Sequence, residues 1–134
     1  MSSFILEIVT PERKVYEKEA EMVVAKGVAG EMGILANHIP LVTPLKIATV
    51  KAKRENGEEL IAVHGGFMEV RKDRVVILAE TAELPEEIDV QRALAAKERA
   101  ENRLSAKQED LDYRRAEIAL QKALTRIKAS GKSI

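Results

Sequence analysis

The chain changes character once, at Pro85, and that single change constrains its fold more than any motif does. Upstream, short runs alternate in the manner of half-buried strands: FILEIV from Phe4 to Val9, EMVVAK from Glu21 to Lys26, KIATVKAK from Lys46 to Lys53, ELIAV from Glu59 to Val63, FMEV from Phe67 to Val70 and VVILA from Val75 to Ala79. Most are rich in β-branched residues, which suit a pleated surface. Asn56-Gly57, Gly65-Gly66 and Lys72-Asp73 stand between them as turn signals. Strands at such short, regular spacing favour a sandwich or barrel over a βαβ arrangement, and Asn56-Gly57 is the strongest hairpin signal.

Downstream of Pro85 glycine disappears until Gly131, and Ala, Glu, Lys, Arg, Gln and Leu dominate, which is a helix-forming composition. Two helices are predicted. The first, about Asp89 to Leu104, brings Val90, Ala93, Leu94, Ala100 and Leu104 to one side; the second, about Leu111 to Lys128, aligns Tyr113, Ala116, Leu120, Ala123, Leu124 and Ile127 in one stripe. The short polar joint SAKQED makes them an antiparallel hairpin. Facing stripes so rich in alanine bury little area, so the hairpin is expected to be marginally stable alone and able to come apart. The fold class is therefore mainly β plus α: a β-layered domain over residues 1–84 and a two-helix domain over residues 85–134.

Composition removes several functions. Aromatic residues make up 3% of the chain and tryptophan is absent, so the core is aliphatic and there is no indole to stack on a sugar or base. Twenty-two basic residues balance 22 acidic ones, which removes the bulk electrostatic case for nucleic acid or an anionic membrane. Without cysteine there are no disulfides and no thiolate metal sites, in keeping with a reducing compartment. No apolar run is long enough to span a bilayer, and Met1 to Thr10 lacks a basic leader, so a soluble, cytoplasmic chain is expected. Charge is nevertheless segregated. Residues 111–134 carry 6 basic and 2 acidic groups, a net of +4, which makes the final helix a basic rod. That is either a solvated face or a docking surface for an acidic partner.

The stretch GEMGILANHIPL, from Gly30 to Leu41, reads as a shaped loop and not as a strand, because two glycines permit unusual backbone angles and Pro40 pushes its predecessor toward an extended conformation. It offers one carboxylate, Glu31, and one imidazole, His38, with no nucleophile beside them. His38 alone is more naturally a loop residue than a metal ligand, and no zinc or magnesium constellation is present. The terminal ASGKSI is not a phosphate loop: that motif needs glycine where Arg126 stands and a helix after the Lys-Ser pair. IDVQRA, Ile88 to Ala93, opens the first helix. Asp89 there is a good N-cap and Arg92 plain surface on one reading. On the other, Asp89 holds an adenine amino group while Arg92, Arg99, Lys122 and Arg126 gather around a phosphate chain.

Taken together, GEMGILANHIPL, HGGFMEV from His64 to Val70, and IDVQRA at the head of a basic helical hairpin closely resemble the epsilon subunit of bacterial ATP synthases, over the whole chain and in the family's order. The resemblance implies a flattened β-sandwich of about ten strands followed by two helices. It implies a non-catalytic rotor subunit, a peripheral protein on the cytoplasmic side of the cell membrane, whose sandwich sits beside the gamma subunit and on the c-ring. Glu31 would face the c-ring and His38 the gamma subunit. One departure is Ala36-Asn37, where many members have Pro-Gly; asparagine tolerates left-handed angles, so the turn can survive.

The resemblance further implies a regulator. Folded down on the sandwich, the hairpin permits ATP hydrolysis; extended along gamma, its basic second helix, with Arg114, Arg115, Lys122, Arg126 and Lys128, lies beside an acidic segment of the catalytic beta subunit and inhibits. In many members ATP binds the folded form as a regulatory ligand, no cofactor being required. The I-D-x-x-R-A motif is matched by Ile88, Asp89, Arg92 and Ala93, and by position Glu83, Arg99, Lys122 and Arg126 complete the site. Lys122 offers a point charge where ATP-binding relatives offer an arginine fork. The alternative reading is a free-standing ATP-binding sensor. A small hydrolase lacks a nucleophile with an adjacent base.

Overall fold

The computed structural model describes residues 2–106 and 110–131. Eight strands are present among them: β1 (Phe4–Val9), β2 (Lys14–Ala20), β3 (Met22–Gly27), β4 (Gly30–Leu35), β5 (Leu41–Arg54), β6 (Gly57–Val70), β7 (Arg74–Ala79) and β8 (Ala82–Glu83). They hydrogen-bond in the order β2-β1-β7-β6-β5-β3-β4, with β8 on β6. All pairs are antiparallel except β1 with β7. This is the expected sandwich, with eight described strands in place of about ten.

Two long strands make the layers. β5 and β6 have 14 residues each, far beyond the usual strand of about 5–6, and are joined by a two-residue turn at Glu55-Asn56 that closes Arg54 on Gly57. The expected hairpin at Asn56-Gly57 is thus present, with Gly57 at φ 138 supplying the backbone freedom. Gly65-Gly66 is not the turn its composition suggested. It lies inside β6, where the strand passes from its neighbour β8 (at Ala62 and Val63) to its neighbour β7 (at Gly66 to Val70). Gly66 sits at φ 131, and a Cβ there would be 2.1 Å from the Leu78 carbonyl oxygen. The glycines mark a change of partner along the strand.

GEMGILANHIPL is likewise corrected. Its first half is β4, paired residue for residue with β3 from Met22↔Leu35 to Gly27↔Gly30. The misleading glycine, Gly33, accommodates a neighbour: a Cβ there would lie 2.4 Å from the Met22 methyl. Only residues 36–40 form a loop, turned by a hydrogen bond from His38 N–H to Leu35 C=O. Asn37 takes a φ of 66, the left-handed angle that its side chain tolerates.

The core fills the space between the layers with Leu6, Ile8, Ile34, Ile61, Val63, Met68 and Ile77, each at most 1% exposed. A 3₁₀ turn, Pro85–Glu87, leads into α1 (Val90–Ser105) and α2 (Asp110–Ser130). The joint residues 107–109 lie outside the described set. The helices pack on each other, and α2 lies on β5 and β6. One stripe was expected on α2. Two opposite faces are covered: Ala116, Ala123 and Ile127 on one, Thr125 and Ala129 on the other. Tyr113, assigned to the first stripe, is 45% exposed.

β6 is the wall between two compartments. Ile61 and Val63 point into the sandwich core, and alternation sends Leu60, Ala62 and His64 to the helix side. There Ala62 packs with Ile88 and Ala129.

Candidate functional site

Asp89 is the N-cap of α1: its Oδ1 accepts the Arg92 N–H at 3.0 Å, fixing where the helix starts. From that start Arg92, Ala96 and Arg99 fall at i, i+4 and i+7 on one face, and Ala93 lies beside them. The two alanines keep the space between the arginines open. The result is a cleft of about 420 Å³ where α1, α2 and the end of the sandwich meet, lined by Glu83, Glu87, Asp89, Arg92, Ala93, Ala96, Arg99 and Arg126. Six of the eight residues proposed from sequence for a nucleotide site thus come together: Glu83, Asp89, Arg92, Ala93, Arg99 and Arg126.

The other two do not line it. Ile88 is turned inward, 9% exposed, and packs with Ala62 and Ala129. Lys122 is half-buried, one turn of α2 before Arg126, and its charge bears on His64. Glu87 and Ala96 were missed. Ala96 was legible as the small residue between Arg92 and Arg99. Glu87 carried no such signal; its Oε1 accepts the Leu84 N–H at 2.9 Å and its Oε2 takes Arg13 at 2.7 Å, tying the β1–β2 turn to the 3₁₀ turn.

Charge in the cleft is mixed and ordered. Arg126 donates Nε–H to Glu83 Oε1 at 2.6 Å, and His64 Nε2 lies 3.0 Å from the same oxygen. Burial works to raise the Glu83 carboxyl, but the hydrogen bonds and charges of Arg126 and His64 outweigh it and hold the group below the usual carboxylate range. Glu87 is also held low, first by the Leu84 N–H, with burial opposing and Arg13 adding to the shift. Three guanidinium groups with carboxylates at the rim suit a polyanion that also carries a hydrogen-bond donor. Among the described residues no group of side chains is arranged to hold a metal ion.

The remaining expected residues lie elsewhere. Glu31 is exposed on β4, opposite Lys26. His38 is half-buried in the 36–40 loop, its Nδ1 2.7 Å from the Ile39 carbonyl oxygen. The basic helix divides: Arg114, Arg115 and Lys128 are exposed, whereas Lys122 and Arg126 are drawn against the sandwich. Of the phosphate-loop look-alike ASGKSI, Lys132 to Ile134 lie outside the described residues.

Residues 3–85 match the family described as "ATP synthase, Delta/Epsilon chain, beta-sandwich domain", and residues 86–131 match "ATP synthase, Delta/Epsilon chain, long alpha-helix domain". The chain belongs to the ATP synthase epsilon-chain family. It is 53% identical to the ATP synthase epsilon chain of Halalkalibacterium halodurans over 98% of this chain and 100% of that one. The epsilon chain of Brevibacillus brevis is 62% identical over 84% and 86% of the two chains. A chain in the Euglena gracilis mitochondrial ATP synthase, in an assembly of OSCP, F1 and c-ring, superposes with a TM-score of 0.81 at 24% identity, over 97% of this chain and 82% of its own. A second, from the central stalk and c-ring of Tetrahymena thermophila mitochondrial ATP synthase, gives a TM-score of 0.61 at 14% identity, over 96% and 97%. These two likenesses concern the fold. As an epsilon chain, the protein is an accessory subunit of ATP synthase and not one of its catalytic chains. No helix among the described residues is long and apolar enough to cross a membrane.

Proposed function

We propose that this epsilon chain is a central-stalk subunit coupling the catalytic head to the c-ring, and that its helical hairpin is a nucleotide-sensitive inhibitor of ATP hydrolysis. Residues 1–84 act as the docking domain and residues 85–134 as the regulatory one. The observation that carries the regulatory half is the cleft itself. Its arginines come from both helices, Arg92 and Arg99 from α1 and Arg126 from α2, while Glu83 belongs to the sandwich. A ligand bridging them favours the hairpin folded down on the sheet. ATP supplies the polyphosphate for the arginines and the amino group for an acceptor such as Asp89. When the hairpin leaves, Arg126 and Lys122 join Arg114, Arg115 and Lys128 as a fully available basic helix for the acidic segment of the beta subunit.

The docking half is supported by apolar surface. Pro44, Phe67 and Leu78 stand side by side across β5, β6 and β7, and Val42 follows on the same face. Val42, Phe67 and Leu78 are each more than half exposed, as are Leu35 and Ile39. Such contiguous surface is a cost for a free-standing sensor and an asset for a subunit held between gamma and the c-ring. Docking on the c-ring places the chain at the cytoplasmic side of the cell membrane without a span of its own.

Calorimetric titration of the isolated subunit with ATP is the test. One equivalent of heat is expected, with stabilisation of about 2.7 kcal/mol at a hundredfold excess over the dissociation constant. Arg92→Ala should abolish both while leaving the sandwich folded. Equal stabilisation of variant and parent overturns the nucleotide site.

A further inference from the structure

His64 is an unusual residue for the wall strand. Its side chain is 0% exposed, on the face of β6 that alternation turns toward α2. Its Nε2 points at a carboxylate oxygen, Glu83 Oε1, so that nitrogen carries the hydrogen and donates it. The same oxygen receives Arg126 Nε–H from α2, so one atom joins β6, β8 and the second helix. The other ring nitrogen, Nδ1, is buried with no hydrogen-bond partner among the described residues. A neutral ring fits this arrangement, since a bare Nδ1 loses one acceptor contact. A protonated ring would bury a second N–H with nothing to receive it.

The charges around the ring decide the rest. From β8 it faces Glu83; from α2 it faces Arg126 and Lys122. The opening beside it is lined by Lys26 of β3, Lys46 of β5 and Glu80 of the β7–β8 turn. Thus the cations come chiefly from the helix that docks and from the strands flanking it, and departure of α2 removes Arg126 and Lys122 while opening the ring to water.

We propose that His64 is a proton-operated latch, with the neutral ring holding α2 on the sandwich through Glu83 and protonation releasing it. The latch needs no nucleotide, and it stands or falls apart from the ATP reading. Burial is the main cause that depresses the docked ring, the charges of Arg126 and Lys122 adding to it against the Glu83 contact. A base whose docked value lies below its released value of about 6.5 binds more protons when released. Docking is therefore at full strength above about pH 6.5, weakens as pH falls below that value by at most about tenfold per unit, and levels off once the docked ring titrates. Glu83 is itself held below the usual carboxylate range.

The test uses the full chain without nucleotide. Its natural lack of cysteine allows a dye pair at Lys72→Cys and Glu98→Cys, which reports hairpin docking by energy transfer. Between pH 7.5 and 5 the docking constant of the parent should fall several-fold, while His64→Gln, whose amide donates to Glu83 without titrating, should stay flat. In parallel, NMR titration of the parent should place the docked His64 ring below its ordinary value. A pH-independent docking constant in the parent, an equal slope in His64→Gln, or a docked ring titrating at or above about 6.5 would each overturn the latch. Should His64→Gln fail to dock, the ring titration decides alone.

Discussion

The two faces of β6 border two very different interiors. On the core side lie Ile61, Val63, Met68 and Val70 among Leu6, Ile8 and Ile77, all bulky and dry. On the helix side lie Ala62, His64 and Ala129, with Ile88 and the partly buried Leu60 and Val90 packed around Ala62. Burying an Ile or Leu stabilises by about 1.5–3 kcal/mol, whereas an alanine offers little more than one methyl group. The buried polar groups on the helix side add direction more than strength. One interior is large and aliphatic and the other small and partly polar, and they share a single strand.

Adjacent residues of that strand offer the sharpest way to break the contrast. Ile61→Ala should cost the sandwich about 2–5 kcal/mol, seen as a large fall in its melting temperature. Ala62→Leu should instead overfill the helix side at about 1–3 kcal/mol. It should release the hairpin, read from the same dye pair, with the sandwich melting unchanged. If the two variants destabilise the same transition, the interiors are not separable.

Removing the helices altogether is a milder perturbation of the core. The main buried cluster contains no residue of α1 or α2, so a chain ending at Leu84 should melt within a few degrees of the parent sandwich; cooperative loss of the sandwich would show that the helix side matters to it. Smallest of all is Arg13→Ala. It breaks the surface pair with Glu87, 2.7 Å apart and half exposed, and such pairs contribute about 0–1 kcal/mol. The docking constant read by energy transfer should shift by no more than about fivefold, and a larger effect would mean that the 3₁₀ turn, not the cleft, anchors the hairpin.

The two-part plan was legible because Pro85 separates two periodicities. What escaped did so for local reasons. β2, KVYEKEA, is an edge strand whose buried residues are only Val15, Tyr16 and Ala20, so its charged face hides the alternation. Charge is a common guard on an exposed edge. β4 was masked by glycines, one of which makes room for Met22. The second buried stripe of α2 was hidden because its members, Thr125 and Ala129, are small or polar. In the cleft, Asp89, Arg92, Arg99 and Arg126 were readable from type and spacing. His64 was not singled out, although ELIAV running into His64 without polar alternation is the mark of a strand covered on both faces.

A shared wall also sets an order of events in time. The surface on which α2 rests exists only after β6 has found β5 and β7, and the β1–β7 pair joins segments far apart in sequence; such non-local closure is slow. On the proposed function, the hairpin is therefore expected to be the last piece to arrive and the first to leave. Its excursions are then expected on the microsecond-to-second scale of domain motions, while the amides of β6 from Gly66 to Val70, held between β5 and β7, should keep their hydrogens until the sandwich itself opens.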